Sequence, residues 1–267
     1  MPVELFRKLA DEAAPHGARL WLHFLGEPLL HPAIFDMVRH AKRVGVPEVG
    51  FSTNAVLLQG ERADEVFASG LDRLEISLDS LNREGYARMR GADDFAVVQD
   101  NVRAFLAEKR RRRAAQPRVT LGFLDAGHAE SDRQRFIDTW LPLLGEHDFL
   151  MAIPAISFGG RSPASLPERE RRPCEWLFRA ALVLSNGDLV SCATDYEGER
   201  VLGNIGSRSV AEIWGSDAYR ELRERHLEGA YAGLALCGSC RDWVHADGQG
   251  YVNFSRDARR DLAVLGA

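Results

Sequence analysis

The chain has 267 residues, of which 45% are hydrophobic and 27% are charged, and its formal net charge is −5. These values exclude an intrinsically disordered chain, a collagen-like fibre and a disulfide-stabilised miniprotein. The negative charge gives no field that would attract nucleic acid or an anionic membrane. No segment has the roughly 18 consecutive apolar residues of a membrane span, and the charged, amphipathic start is unlike a secretory signal. We therefore expect a cytoplasmic protein without a nucleic-acid or membrane partner.

The first 155 residues alternate between helical and strand patterns. Strands separated by helices of this length indicate βαβ units and a parallel sheet, either open or barrel-like. Ligands of such sheets bind at the carboxyl ends of the strands. In chain order, the periodicity predicts a helix over 3–14, a strand over 19–25, a helix over 32–41, a strand over 46–52, a helix over 60–69, a strand over 73–78, a helix over 95–113, a strand over 118–123, a helix over 131–144 and a strand over 149–153.

Polar and glycine residues follow the first three of these strands, at the ends where ligands bind. Each group also has a purely structural interpretation. A Gly-Glu-Pro sequence can be an ordinary loop, Asn54 can occupy a left-handed turn, and Ser77 and Asp79 can end a strand or cap a helix. The candidate site residues are Gly26, Glu27 and Pro28, then Asn54 with its neighbours Ser52 and Thr53, then Ser77 and Asp79.

The sequence changes character after residue 155. Residues 156–173 have the composition of a linker, and two short strands are predicted beyond it over 180–184 and 188–192, around a tight turn at 185–187. Ser209 and Glu212 have the spacing of a capping box, which predicts a helix that continues to His226.

The four cysteines are grouped in this second region, and none precedes Cys174. In a reducing compartment, grouped cysteines are more often metal ligands or catalysts than disulfides. Four thiolates around one centre suit either tetrahedral zinc or a [4Fe–4S] cluster, and spacing alone does not separate the two. The alternative is four unrelated buried thiols. The candidate ligands are Cys174, Cys192, Cys237 and Cys240.

Residues 109–113 form a run of five positive charges. Such a run can bind nucleic acid, but it also lies at the carboxyl end of a predicted helix, where cations favour the helix dipole. Because the chain is acidic overall, we favour the structural interpretation.

Taken together and in this order, the motifs resemble those of radical S-adenosylmethionine (SAM) enzymes that carry a SPASM or twitch-type auxiliary iron–sulfur domain. The resemblance covers residues 3–245. In the first region it rests on the Gly-Glu-Pro loop, on Ser-Thr-Asn-Ala at 52–55 and on Ile-Ser-Leu-Asp at 76–79. In the second region it rests on the spacing from Cys174 through Gly187 to Cys192, on Leu202–Ile205 and Ser209–Trp214, and on Cys237-x-x-Cys240.

This resemblance implies an α/β fold: a partial (β/α)6 TIM-like barrel that lacks its first strand, and a small α+β SPASM/twitch domain. The implied boundaries are 1–155 for the barrel, 156–173 for the linker, 174–245 for the auxiliary domain and 246–267 for a tail. It further implies that SAM is bound by Gly26, Glu27, Pro28, Asn54, Ser77 and Asp79. The four cysteines are enough for one auxiliary [4Fe–4S] cluster, as in twitch-type members, because the later cysteines of a two-cluster domain are absent.

The front of the chain departs from the family pattern. Radical chemistry in this family needs a C-x-x-x-C-x-x-C loop after the first barrel strand, and the printed sequence has no such cysteines. We expect that the sequence is truncated. The alternatives are that the protein has lost catalysis and kept recognition, or that it takes the missing segment from a partner.

For the full-length form, the resemblance implies reductive cleavage of SAM to a 5′-deoxyadenosyl radical that oxidises or modifies a peptide or a small carbohydrate-like substrate. An electron donor such as flavodoxin or ferredoxin would supply the electron. Asp195 is a candidate catalytic base, and the favoured alternative is that it is a carboxylate of the hairpin loop. The alternative function is a non-catalytic iron–sulfur or zinc protein that recognises a peptide or a partner.

Overall fold

The structure is a computed structural model that describes residues 1–80, 82–125, 130–154, 156–159, 161, 170–245 and 252–254. The helices run over Val3–Ala13 (α1), Ile34–Arg43 (α2), Gly60–Ala68 (α3), Arg83–Arg90 (α4), Phe95–Arg112 (α5), Glu130–Trp140 (α6), Trp176–Arg179 (α7), Val210–Trp214 (α8) and Asp217–Leu227 (α9). The strands run over Leu20–Trp21 (β1), Val49–Thr53 (β2), Arg73–Ser77 (β3), Arg118–Asp125 (β4), Phe149–Pro154 (β5), Leu182–Val183 (β6), Asp188–Val190 (β7), Val201–Asn204 (β8) and Val252–Phe254 (β9). The predicted linker is described in part, and only residues 252–254 of the predicted tail are described.

Residues 14–154 and the strand β9 belong to one compact unit built on a single sheet. The strand order is β1-β2-β3-β4-β5-β9; the first five strands are parallel, and β9 is antiparallel to β5. The predicted α/β fold with a parallel sheet is therefore confirmed. The strand β9 lies within the predicted tail, where no strand was expected.

One face of this sheet forms the apolar core of the unit. Side chains alternate between the two faces of a strand, so every second residue is buried. The core-facing residues of three adjacent strands are inaccessible to solvent: Val49 and Phe51 of β2, Leu74 and Ile76 of β3, and Val119, Leu121 and Phe123 of β4. The opposite face carries the polar residues Ser52, Glu75 and Ser77.

The strand β1 is much shorter than the predicted strand over 19–25 because a side chain interrupts the ladder. Leu22 still donates its amide to the Gly50 carbonyl at 2.8 Å. One step further, a parallel ladder would join the Ser52 amide to the Leu22 carbonyl. The Ser52 amide instead donates to Nδ1 of His23 at 3.1 Å.

The positive run at 109–113 closes the helix α5, as the structural interpretation expects. Lys109 is buried and forms an ion pair with Asp148. Arg111 and Arg112 both bind Glu108 on the same helix, and Arg112 also reaches Asp64. Much of the charge is therefore already paired within the protein.

The helix predicted over 131–144 differs from the observed α6 at both ends. It begins at Glu130, and it gives way after Trp140 to a single 3-10 turn over Leu141–Leu143. Pro142 explains the end, because proline has no amide hydrogen to continue the α-helical ladder. The helix α4 was not predicted, although Asn82 caps its first turn and Gly91 ends it in the left-handed conformation.

The second compact unit comprises α1 and the chain from 155 to 250. Its antiparallel sheet has the order β6-β7-β8, and the turn at 185–187 joins the first two strands as predicted. Leu5 and Leu9 of α1 pack against the core of this unit, and Glu12 accepts the Val210 amide at 2.9 Å. The domain boundaries given above stay a prediction.

The capping box of Ser209 and Glu212 is confirmed, with both reciprocal hydrogen bonds present. The single helix predicted up to His226 is wrong, because α8 ends at Trp214 and α9 begins at Asp217. Ser216 caps the amino end of α9 and accepts the Tyr219 amide. None of the described helices combines the length and the apolar character needed to cross a bilayer.

Candidate functional site

Glu27 connects the Gly-Glu-Pro loop to the carboxyl end of β2. Its Oε1 accepts the Thr53 hydroxyl at 2.7 Å and the Leu29 amide at 3.0 Å, and its Oε2 accepts the Asn54 amide at 2.8 Å. The carboxylate thus holds two segments about 26 residues apart in sequence, and it does so with charge-assisted hydrogen bonds. The sequence noted Glu27 for its motif, and the structure shows that its side chain is engaged within the protein.

The turn after β2 is fixed by its own side chains. Asn54 accepts the Val56 amide at 3.0 Å with its side-chain oxygen, and Ala55 adopts a left-handed φ of 62°. Asn101 of α5 donates to the carbonyl groups of both Ala55 and Val56. The side chain of Asn54 therefore helps to form the turn, but the left-handed residue is Ala55 and not, as the structural interpretation expects, Asn54. The candidate role of Asn54 toward SAM stays a prediction.

The strand ends of β2 and β3 meet through two serines. Ser52 and Ser77 lie 3.0 Å apart, hydroxyl oxygen to hydroxyl oxygen, and His23 contacts the Ser52 amide. Burial lowers the pKa of His23, so the imidazole is held neutral with Nδ1 as an acceptor. Sequence reasoning missed His23, because nothing in its spacing from the other histidines marks it.

Asp79 lies just beyond β3 in the left-handed conformation, with φ of 56°. Its carboxylate forms an ion pair with Arg90 of α4. Burial raises the pKa of Asp79, and the Arg90 charge opposes this shift. Arg90 therefore compensates part of the negative charge that Asp79 places at this edge of the sheet.

Gly26 and its neighbours are the open part of the edge. Gly26 is exposed, and no heavy atom outside the adjacent residues would lie within 4 Å of a side chain placed there. Leu25 and Leu30 are 62% and 69% exposed. The backbone of the Gly-Glu-Pro loop is thus accessible to a ligand, while Glu27 and the buried Pro28 fix its shape.

Glu75 points from the middle of β3 to the same face as Ser52 and Ser77. Gly122 on β4 makes room for it: a Cβ at Gly122 would lie 2.7 Å from Cδ1 of Ile153 and 3.8 Å from Oε1 of Glu75. Burial, assisted by the charge of Asp79, raises the pKa of Glu75 to about 7. Sequence reasoning did not single out this carboxylate.

The raised pKa of Glu75 predicts a pH-dependent cost to folding. Its pKa in the folded state lies above the ordinary value of 4.5, so the folded protein binds the proton more tightly and loses stability as pH rises through about 7. We expect Glu75→Gln to raise the free energy of unfolding by about 1–3 kcal/mol at pH 8.5 and by much less at pH 5.

Urea denaturation at the two pH values measures this difference. The matched control is Glu61→Gln, which alters an exposed glutamate of α3 and should show no such dependence. An equal change for Glu75→Gln at both pH values would contradict the assignment.

The four cysteines of the second unit are free and partly buried. Their charges act on one another. Cys192, Cys237 and Cys240 raise the pKa of Cys174, and Cys192 raises the pKa values of Cys237 and Cys240. Among the described residues, no three His, Cys, Asp or Glu side chains are arranged to hold one metal ion. The role of the four cysteines as ligands therefore stays a prediction.

Burial is the main cause that raises the cysteine pKa values, to about 12 for Cys174 and about 11 for Cys237 and Cys240. Neighbouring thiolates add to the shift. Buried thiols of this kind ionise when a metal replaces their protons, and the metal must neutralise several charges at once. The donor set therefore fits an iron–sulfur cluster, which binds four thiolates.

Asp195 lies inside the loop that follows Cys192, with no exposed surface. Its two carboxylate oxygens accept the Glu199 amide at 2.7 Å and the Arg200 amide at 2.9 Å. These contacts support the hairpin-loop interpretation of Asp195. Its role as a base stays a prediction.

The family assignment rests on matches to both regions. Residues 1–138 match the radical SAM superfamily, and residues 174–241 match the SPASM iron–sulfur cluster-binding domain. The chain therefore belongs to the radical SAM superfamily and carries a SPASM domain, which confirms the resemblance. These two domains imply [4Fe–4S] clusters and SAM as cofactors.

Individual relatives cover the chain unevenly. A GTP 3′,8-cyclase of Chlorobaculum tepidum is 41% identical over 101 residues, which are 38% of this chain and 30% of that protein. The chain thus matches less than a third of the length of this relative.

Solved structures match over nearly the whole chain. BtrN in complex with AdoMet and 2-DOIA has a TM-score of 0.59 at 17% identity, over 99% of this chain and 85% of that one. Streptococcus suis SuiB bound to its precursor peptide SuiA has a TM-score of 0.68 at 11% identity, over 90% and 63%. At these identities the likeness is one of fold.

Proposed function

We propose that the chain comprises the SAM-binding barrel region and the auxiliary-cluster domain of a radical SAM enzyme that oxidises or modifies a peptide or a small carbohydrate-like substrate. The observation that carries the proposal is that all four cysteines are free and that all four lie within the region that matches the SPASM domain. Cys174, Cys192, Cys237 and Cys240 would hold one [4Fe–4S] cluster there.

The barrel would bind SAM at the edge where β1, β2 and β3 end. The accessible backbone of Gly26 to Pro28 would meet the methionine group, and Asn54, Ser77 and Asp79 would lie nearest to the rest of the cofactor. When bound and reductively cleaved, SAM would supply the radical that abstracts a substrate hydrogen. The hydrogen bonds of Glu27 fix the shape of the loop, and Arg90 compensates part of the charge of Asp79.

The cluster that cleaves SAM does not fit this chain alone. No cysteine precedes Cys174, so the barrel region offers no thiolate for it. The proposal therefore requires a three-cysteine loop from a preceding segment or a partner, with flavodoxin or ferredoxin as electron donor. The solved structure of SuiB with a precursor peptide makes a peptide the first substrate class to test.

A second candidate function rests on the thiol site alone. A protein that holds only the auxiliary cluster, or one zinc ion, would recognise a peptide or a partner without catalysis. The thiol site alone supports both functions, because it lies outside the barrel unit.

Anaerobic reconstitution of the chain with iron and sulfide tests the cluster. We expect about four irons and four sulfides per chain, with a brown colour. Cys192→Ser and Cys237→Ser should each lose most of the iron. Ser239→Ala is the control, because Ser239 lies in the same loop and donates to the Gly159 carbonyl. A colourless chain that binds one zinc would contradict the iron–sulfur cluster.

The coding DNA immediately upstream separates enzyme from binding protein. An in-frame C-x-x-x-C-x-x-C sequence supports the radical enzyme. A nearby in-frame stop codon contradicts a catalytic loop on the same chain, and co-purification of an iron–sulfur partner would then be required to retain the enzyme proposal.

A further inference from the structure

Several buried polar atoms near the four cysteines have no hydrogen-bond partner among the described residues. Such groups cost free energy unless something satisfies them, so each calls for an acceptor that is bound in the working protein. They are Nε2 of His226, Oγ of Ser191, Nε of Arg171 and Nε of Arg200.

His226 is the most constrained of these residues. It lies on α9 with only 1% of its surface exposed. Its Nδ1 accepts the backbone amide of Cys174 at 3.3 Å, so Nε2 carries the hydrogen. The enclosed Nε2–H therefore belongs to an imidazole that is tied directly to one of the four candidate ligands.

Arg171 fixes a positive charge beside a second candidate ligand, Cys237. Its guanidinium donates to the Cys237 carbonyl at 2.6 Å and to the Gly238 carbonyl at 3.4 Å, and it lies over the Tyr231 ring at 4.0 Å. The Tyr231 and His226 rings pack in a T-shaped arrangement, with their centroids 5.1 Å apart. Arg171, Tyr231 and His226 thus form one packed group.

Arg200 adds a second positive charge to the same environment. The charges of Arg200 and Arg171 both act on Cys237 and on His226. A cluster with four thiolate ligands is anionic, and it gains one more negative charge when it is reduced. Nearby cations and N–H donors therefore stabilise the reduced form more than the oxidised form, which raises the reduction potential.

We propose that His226 Nε2–H donates a hydrogen bond to a sulfur of the auxiliary cluster, and that His226 and Arg171 act as positioning residues that raise its reduction potential. This inference rests on the proposed cluster at the four cysteines. It assigns a role to α9 and to the segment before Cys174 that the cysteine motif does not contain.

The test is an EPR-monitored redox titration of the anaerobically reconstituted chain. We expect His226→Phe and Arg171→Gln each to shift the reduction equilibrium about tenfold toward the oxidised cluster, which is about 59 mV lower in midpoint potential for one electron. His226→Gln keeps a side-chain N–H and should restore most of the potential. Arg220→Gln, which removes an exposed arginine of α9, is the control and should change nothing.

Iron and sulfide analysis precedes each titration, so that failure of the proposed cluster is distinguished from failure of the proposed hydrogen bond. If the unaltered chain holds no cluster, the proposed function fails. If His226→Phe holds the cluster at the unaltered midpoint potential, the inference is overturned.

A second measurement is used if the His226→Phe chain does not fold or does not take up the cluster. His245 is the only other histidine after residue 147, so it is replaced by glutamine for this measurement. Pulsed EPR of the reduced cluster, in a His245→Gln chain labelled with ¹⁵N-histidine, should show a coupled histidine nitrogen. Absence of this coupling overturns the hydrogen bond, and its presence supports it.

Discussion

Asp148→Ala should lower the free energy of unfolding by about 3–5 kcal/mol, because it leaves a buried lysine without its counter-charge. The Lys109 ammonium contacts both carboxylate oxygens of Asp148, at 2.7 and 2.9 Å, and the two side chains are only 8% and 1% exposed. The same carboxylate accepts the Val119 amide at 2.7 Å and the Gly145 amide at 3.0 Å. The substitution thus removes four contacts that join α5, β4 and the turn before β5.

Chemical denaturation measures this loss, and two further variants make the result specific. Lys109→Met combined with Asp148→Asn should be markedly more stable than Asp148→Ala, since no buried charge is left unpaired. Asp93→Ala breaks the exposed ion pair with Arg83 and should have little effect. The explanation fails if Asp148→Ala costs no more than Asp93→Ala.

Glu27→Ala should increase the mobility of the Gly-Glu-Pro loop, which would bind SAM. Three donors lose their acceptor: the Thr53 hydroxyl and the amides of Leu29 and Asn54. A hydrogen bond to a charged group contributes about 1.5–3 kcal/mol, so amide exchange at Leu29 and Asn54 should accelerate at least about tenfold. Hydrogen–deuterium exchange measures this effect directly, without any cofactor.

The affinity for SAM tests the functional consequence of the same substitution. Calorimetry on the reconstituted protein should show weaker binding for Glu27→Ala than for Glu27→Gln, which keeps one acceptor oxygen. Glu61→Ala is the control, as an exposed glutamate of the same sheet unit. Unchanged exchange at both amides would show that Glu27 does not hold the loop.

Local signals in the sequence were enough to predict much of the fold. The capping box at Ser209 and the turn at 185–187 depend on contacts within a few residues, and the strand spacing predicts the parallel sheet. The prediction of one helix up to His226 was wrong because it followed the apolar pattern and overlooked two local signals. Gly215 ends the helix α8, and Ser216 caps the first turn of α9.

Contacts between distant segments could not be predicted from the sequence. The contact of Ser52 with Ser77 depends on the register of two strands, which spacing does not specify. The contact of Lys109 with Asp148 depends on how the helix α5 packs against the turn before β5. His23 is the clearest case, because it shortens β1 by replacing a backbone acceptor with a side-chain nitrogen. The four cysteines could be selected from the sequence as candidate ligands because their motif encodes the spacing, whereas His226 and Arg171 carry no such motif.

The missing side chain of Gly122 links three strands into a single constraint on size. The side chains of Ile153 on β5 and Glu75 on β3 both border the space beside its backbone. The room on the polar face of the sheet at this position therefore depends on all three strands. A larger residue at 122 requires Cδ1 of Ile153 to move aside, either through another rotamer or through a smaller residue at 153. The volumes at these two positions are therefore coupled, and an exchange of volume between them offers a way to accommodate a different ligand without moving the sheet.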